Sequence, residues 1–232
     1  MLAGSFFTPP TDNAAPQDAT GGAARGVYDE NNEVSVATSG AARSNIYGVI
    51  EAASTASASA SMLAVMPESF YGTTLEARPT ILVYVPPSSA DTAVFSLKTE
   101  SKETAYQSVI SVPKAGGVIA IELPPEAPEL ALNANYQWYL ALQFERELTP
   151  GSPFVDGWIK RIEPTQELAL AQAQGVSLSA VETLGASGIW YDTAARLASL
   201  TETQADETIS GHWVELLESV GLSDIATAPI VM

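Results

Sequence analysis

The sequence predicts a β-rich α+β protein: an antiparallel Ig-like β-sandwich over residues 62–164, a small C-terminal α-helical region over 165–232, and an extended N-terminal arm over 1–61. Three observations carry this. Short β-prone runs follow one another between 62 and 164, separated by Pro, Gly and Ser. The hydrophobic period lengthens from two to about 3.6 residues after Pro164. Before residue 62 the composition shifts to Ala, Ser, Thr, Gly and Asn, with runs such as GGAARG and EAASTASASAS.

Seven runs are read as strands: MLAVM (62–66), TILVYV (80–85), AVFSLKT (93–99), YQSVISV (106–112), GVIAIEL (117–123), NYQWYLALQF (135–144) and VDGWIKRI (155–162). The run at 135–144 is assigned to a central strand. In it Tyr136, Trp138, Leu140, Leu142 and Phe144 alternate with Gln137, Tyr139, Ala141 and Gln143, giving one apolar and one mixed face. Ala93, Phe95 and Leu97 alternate in the same way, and the prolines of VPPSSAD and LPPEAPEL mark where ladders end. No helical pattern separates the strands, which disfavours a parallel α/β sheet.

Four helices are expected after Pro164. Thr165 opens the first across QELALAQAQ and Gly175 closes it, while Ser179 with Glu182 offers a capping box for the second. Ile189, Trp190, Ala194, Leu197 and Leu200 form the stripe of the third. Ile209, Trp213, Leu216, Leu217 and Val220 form that of the fourth, with Gly221 and Leu222 placed for a left-handed cap.

Charge and composition exclude several functions. The 232 residues hold 27 Asp and Glu against 10 Lys and Arg, a net charge of -17, which repels nucleic acid and anionic membranes. The helical third is the most one-sided, with 9 acidic residues and Arg196 as its single base. No apolar run reaches the roughly 20 residues of a membrane span. With no cysteine and only His212, thiol catalysis, zinc–thiolate sites and multi-histidine metal centres are ruled out, and no cofactor is expected. The opening MLAGSFFTPP has no basic residue before Arg25 and only a short apolar patch, unlike a secretion signal. The acidic, cysteine-free, Ser/Thr/Ala-rich composition nevertheless suits an exposed protein. The expected location is therefore secreted, extracellular or cell-envelope, with any signal already removed.

Each candidate for chemistry has an ordinary explanation. His212, near Ser210 and Glu215, lacks a nucleophile elbow and is expected to face solvent beside Trp213. Glu145 with Glu147, or Asp206 with Glu207, could supply a hydrolytic carboxylate pair, yet nothing singles out one pair among 27 carboxylates. DENNE (29–33) offers oxygen ligands without the spacing of a calcium loop, and TGGAARG lacks the Lys of a phosphate loop. Trp138 and Trp190 are assigned to the core. Tyr139 and Trp158 are the members of a sugar-stacking platform if they point outward.

The ordered blocks LAVMPESFYGTTLEARPTILVYVP (63–86), LNANYQWYLALQFE (132–145), VDGWIKRIEP (155–164), GIWYDTAARLASL (188–200) and WVELLESVGLSDIATAPIV (213–231) resemble the cyanobacterial domain-of-unknown-function 928 family over about 62–232. That resemblance implies a secreted or envelope protein with no assigned activity. It also implies a cysteine upstream of the MLAVMP-like block and another after the LAL strand, where this chain has Gln143 and Phe144. The Ala/Ser arm departs from the family pattern as well, which leaves open whether strand pairing replaces the missing staple.

The leading expectation is a non-enzymatic structural protein whose arm donates a strand to an open sheet edge of another copy, giving a head-to-tail filament. VSVAT (34–38) and IYGVI (46–50) are the β-prone islands of the arm, so Val34, Val36, Ile46, Val49 and Ile50 are its expected contact residues. The partner is then a second copy. The alternatives are a monomeric module binding surface polysaccharide, and a carboxylate-dependent hydrolase.

Overall fold

The computed structural model describes residues 6–8 and 61–232. The arm islands at 34–38 and 46–50, DENNE and TGGAARG lie outside the described residues. Among the described residues nine strands form two sheets. A five-stranded sheet runs in the order β2 (Tyr71–Thr74), β8 (Phe154–Arg161), β7 (Asn135–Gln143), β4 (Thr92–Thr99), β5 (Thr104–Ser111). The other has four strands: β1 (Leu63–Ala64), β3 (Thr80–Val85), β6 (Gly117–Glu122) and β9 (Ile230–Val231). The expected β-rich α+β architecture is thus present, and the run assigned to a central strand is the middle strand of its sheet.

Alternation builds the core. Phe95 and Leu97 on β4, Trp138, Leu140 and Leu142 on β7, and Ile81, Val83 and Val85 on β3 are all buried in one continuous cluster spanning both sheets. Two departures qualify the antiparallel expectation. β2 pairs with β8 in parallel, Tyr71 opposite Trp158, and β9 pairs with β6 in parallel. Both strands are added to the seven expected ones, and both are too short to show a period.

Trp190, Leu197, Ile209 and Trp213 of the helical region share that core, while Leu168, Ala171, Ala180 and Leu184 form a second cluster with Leu75 and Ile189. α1 (Gln166–Ala173) is capped by Thr165, whose hydroxyl accepts from the Leu168 amide at 3.3 Å. In α2 (Leu178–Ala186) the cap is Ser177, which accepts from the Ala180 amide; Ser179 instead donates to Gln174, correcting the expected capping box. Gly188 ends α2 with φ +73°, and the amide of Ile189 closes back onto the Leu184 carbonyl at 3.0 Å. The same closure recurs after α4 (Glu207–Ser219), where Gly221 has φ +72° and the Leu222 amide reaches the Leu217 carbonyl at 2.8 Å.

α3 (Trp190–Thr203) packs against β2 of one sheet and β3 of the other, so it spans the flank of the sandwich. Its first turn supplies the attachment. Trp190 Nε1 donates to the Val65 carbonyl at 2.9 Å. Tyr191 Oη accepts from Trp138 Nε1 at 2.7 Å and donates to the Trp158 carbonyl at 3.0 Å. Room for these rings comes from Gly72, where a Cβ would lie 2.9 Å from the Tyr191 ring, and from Gly157, where a Cβ would lie 2.7 Å from the Trp138 ring. Replacing Trp190 by Ala leaves a large core cavity and an unsatisfied Val65 carbonyl, so urea denaturation should show a loss of about 3–5 kcal/mol.

One turn carries strain. Phe144 and Glu147 bracket a two-residue hairpin in which Glu145 and Arg146 both have positive φ, 55° and 65°, a conformation that favours Asn and Gly. Glu145→Asn combined with Arg146→Gly relieves that strain and should raise stability by about 1–2 kcal/mol in the same assay.

Candidate functional site

Three surface features are candidates for function: an open strand edge, a polar–aromatic sheet face, and the clip formed by residues 6–8. The first follows from the five-stranded sheet. Its β2 edge is fully buried and packs on α3. At the opposite edge β5 pairs with β4 alone among the described residues, over the register Thr92–Ser111 to Leu97–Tyr106. β5 is eight residues long and contains no charged residue and no proline, the two devices that ordinarily blunt an edge. Facing strand residues place Tyr106, Ser108 and Ile110 on the core side, and Gln107 and Val109 on the outer side, where Val109 is 62% exposed. The edges of the other sheet, β1 and β9, are two residues each.

The outer face of the five-stranded sheet carries both residues expected to form a sugar platform. Tyr139 lies opposite Asp156, and Trp158 lies opposite Gln137 in the neighbouring row. The two side chains therefore share a face, but they do not form a flat exposed pair. Trp158 is 3% exposed, with Tyr71 and Gln137 as its cross-strand partners, so it is not available for stacking on a ligand. Its burial on the nominally solvent face is what alternation alone could not show. Tyr139 remains half-buried, with Lys98 Nζ 4.9 Å from its ring centre, a cation–π contact. Gln137 Nε2 donates to the buried Asp156 carboxylate at 2.7 Å. Burial, and secondarily the Asp156 charge, raises the Tyr139 hydroxyl above the ordinary tyrosine value. Tyr71, which donates to Asn135 at 3.3 Å, is pushed up to about 12 by burial and then by Glu100.

The carboxylates considered for hydrolysis have structural roles or lie apart. Asp206 caps α4, accepting from the Thr208 amide at 2.7 Å, and these hydrogen bonds hold its carboxyl below the usual range. Glu145 and Glu147 are exposed in the strained turn. Among the described residues no group of three or more His, Asp or Glu side chains is placed to hold a metal ion. No helix among them is long and apolar enough to cross a membrane.

His212 does not simply face solvent. Its ring stacks on Phe6 at 4.8 Å and 24°, and its Nδ1 is buried without a hydrogen-bond partner. Phe7 is 2% exposed and meets Trp190 edge-on at 4.8 Å. The Thr8 amide donates to the Gly185 carbonyl at 3.1 Å. Sequence reasoning passed over this clip; the available signal was two adjacent Phe residues in a stretch otherwise poor in large side chains.

Asp192 was also missed. It stands in the first turn of α3 next to Tyr191, buried to 3% exposure, and accepts from the Leu75 amide at 3.2 Å, while its Oδ1 has no partner. Burial raises its carboxyl to about 6, Glu76 adding to the rise against the hydrogen bonds from Thr74 and Leu75 and the charge of Arg196. Arg196 is itself tied to Glu76 at 3.2 Å and to the Ala171 and Gly175 carbonyls at the end of α1.

Among the described residues these features define a helix-buttressed β-sandwich with one long open edge. Residues 38–230 match the family model described as Domain of Unknown Function (DUF928), and the chain belongs to that family. The match starts upstream of the expected boundary at 62, so Ile46, Val49 and Ile50 fall within the family region, whereas Val34 and Val36 precede it. Comparison with curated proteins finds no match.

Because the folded state holds the Asp192 proton more tightly than the unfolded chain, that group's stabilising contribution is complete below about pH 4 and is lost as pH rises through about 6. At neutral pH the burial of its charge costs about 3 kcal/mol. Asp192→Asn keeps the acceptor for Leu75 and removes the charge. Relative to wild type, the variant should gain up to about 3 kcal/mol between pH 4.5 and 7.5 in urea denaturation, and a difference independent of pH would refute this account.

Proposed function

We propose that the protein is a non-enzymatic structural subunit of the cell exterior or envelope, which assembles head to tail with its own copies by strand addition at β5. The observation that carries this reading is the eight-residue, uncharged, proline-free edge of β5 with Val109 exposed on it. An added strand would satisfy its unpaired backbone groups. The donor strands are the β-prone islands of the N-terminal segment, with Val34, Val36, Ile46, Val49 and Ile50 as the side chains that pack beside Val109 and Ile110. Among the described residues only one edge of the sheet is long and open, while the proposed donor lies elsewhere in the chain. The contact is therefore heterologous, and repetition extends it into a filament unless the rotation closes a ring. The net charge of -17 opposes this contact at low ionic strength, so assembly strengthens as salt screens it. A cysteine-free, Ser/Thr-rich composition supports a place outside the cytosol.

Light scattering and negative-stain electron microscopy of the full chain test the reading. Wild type should form fibres at moderate salt. Val109→Lys sets a charge on the edge and should raise the concentration needed for assembly at least about tenfold, equivalent to about 1.4 kcal/mol per contact, with thermal stability changed by less than about 0.5 kcal/mol. Val36→Pro with Val49→Pro should act in the same direction from the donor side. Single particles from wild type at every salt concentration overturn strand addition. They would favour a monomer that meets surface polysaccharide through the outer face around Tyr139.

A further inference from the structure

Residues 6–8 reach the helical region from more than fifty positions upstream of the first strand, and the groove that receives them has the makings of a peptide-recognition site. α3 contributes Trp190, whose ring takes the edge of Phe7. α4 contributes His212, stacked on Phe6. α2 contributes the Gly185 carbonyl, which accepts from the Thr8 amide at 3.1 Å. Gly185 is needed for close approach: a Cβ there would lie 2.7 Å from the Phe6 carbonyl oxygen, and a glycine within a helix otherwise costs about 1 kcal/mol. The groove therefore reads two successive aromatic rings and one main-chain amide.

We propose that this segment is an exchangeable clip, and that the groove on α2, α3 and α4 is where a second copy of the chain inserts its own Phe6 and Phe7. Three facts favour a second copy as the occupant. The groove is already complementary to this sequence. Residues 1–11 carry no charged side chain, so the clip can approach a strongly acidic molecule without repulsion. The chain between Thr8 and Ser61 could extend to about 170 Å, so the covalent connection does not dictate whose groove the clip fills. Contacts made within one copy and between copies are the same, and local concentration decides between them. The inference rests on the self-assembly reading: strand addition at β5 holds two copies together and so raises the concentration of each clip at the other's groove.

Cross-linking of the full chain tests the exchange. The protein has no cysteine, so Phe6→Cys and His212→Cys each introduce a unique thiol. Mixed in equal amounts and treated with a short bis-maleimide, the two single variants should yield a dimer joined between positions 6 and 212, identified by mass spectrometry of the cross-linked peptides. Its yield should rise with protein concentration and salt. Thr8→Cys mixed with Ala186→Cys provides a second pair at exposed positions that leave the aromatic contacts intact. No dimer from either mixture under assembly conditions, with cross-links forming only within the chain when both cysteines of a pair are placed in one molecule, overturns the exchange. Adding Val109→Lys separates the two ideas. Loss of fibres with no 6–212 dimer in wild-type-edge assemblies leaves strand addition standing alone, whereas dimers that persist in the Val109→Lys background show exchange without it.

Discussion

The attachment of α3 to the sandwich through Trp190, Tyr191 and Asp192 is the constraint on which the rest of the architecture depends. Each of these consecutive residues forms a buried hydrogen bond to the sheets or the loops between their strands: Trp190 to Val65, Tyr191 to Trp138 and Trp158, Asp192 to Leu75. Four hydrogen bonds in one helical turn fix its position and its rotation, because three successive side chains spread over about 200° of the helix circumference. Ile189, at the N-cap, supplies no side-chain cap, so the first turn is held by tertiary contacts in place of a local one. Gly72 and Gly157 belong to the same device, since a methyl at either position would collide with the rings it holds. α4 packs on α3, and the Phe7 clip packs on Trp190.

That arrangement has an electrostatic consequence. The attachment places the Asp192 carboxyl where one oxygen has no partner, and burial raises its proton affinity. Arg196, one turn further along α3, does not neutralise it by a direct bridge. Its guanidinium instead bonds the carbonyls at the end of α1 and Glu76, joining α1 to the loop before β3. The only basic residue among the helices is thus committed to holding elements together, and the outer helical surface is left to carboxylates.

How much of this was legible depended on element length and on where packing intervenes. β7 was readable because nine residues alternate cleanly, and α4 because Ile209, Trp213, Leu216, Leu217 and Val220 complete three turns. β2 and β9 were not readable: four residues of sequence YGTT and two at the C-terminus carry no period, and both exist because a neighbouring strand and a packed helix hold them. Ser177 and Ser179 stand two apart, and only backbone geometry decides which one caps α2. Alternation placed Tyr139 on the mixed face of its strand, whereas Trp158, opposite Gln137 on that same face, is buried there. The clip and Asp192 escaped for a common reason, since each depends on a partner far away in sequence: Phe7 on Trp190, Asp192 on Leu75. The family resemblance was legible from the order of five blocks, although its extent was not, because residues 38–61 have the composition of a linker.

The same one-sided buttress bears on the strand addition proposed above. By packing on β2, the helices close one edge of the five-stranded sheet and, among the described residues, leave β5 as its single long edge. A sandwich open at both edges could pair edge to edge with equivalent copies in either direction, a symmetric route to uncontrolled sheet growth. Under the proposed strand addition, a sandwich open at one edge would grow by placing a donor from one copy on the acceptor of the next. In that proposal the polarity of growth would follow from intrachain packing, through the Trp190–Tyr191–Asp192 turn that seats α3 over β2. In the proposed assembly, a substitution deep in that turn that uncovers β2 would give the sheet a second edge and so change how copies associate without touching β5.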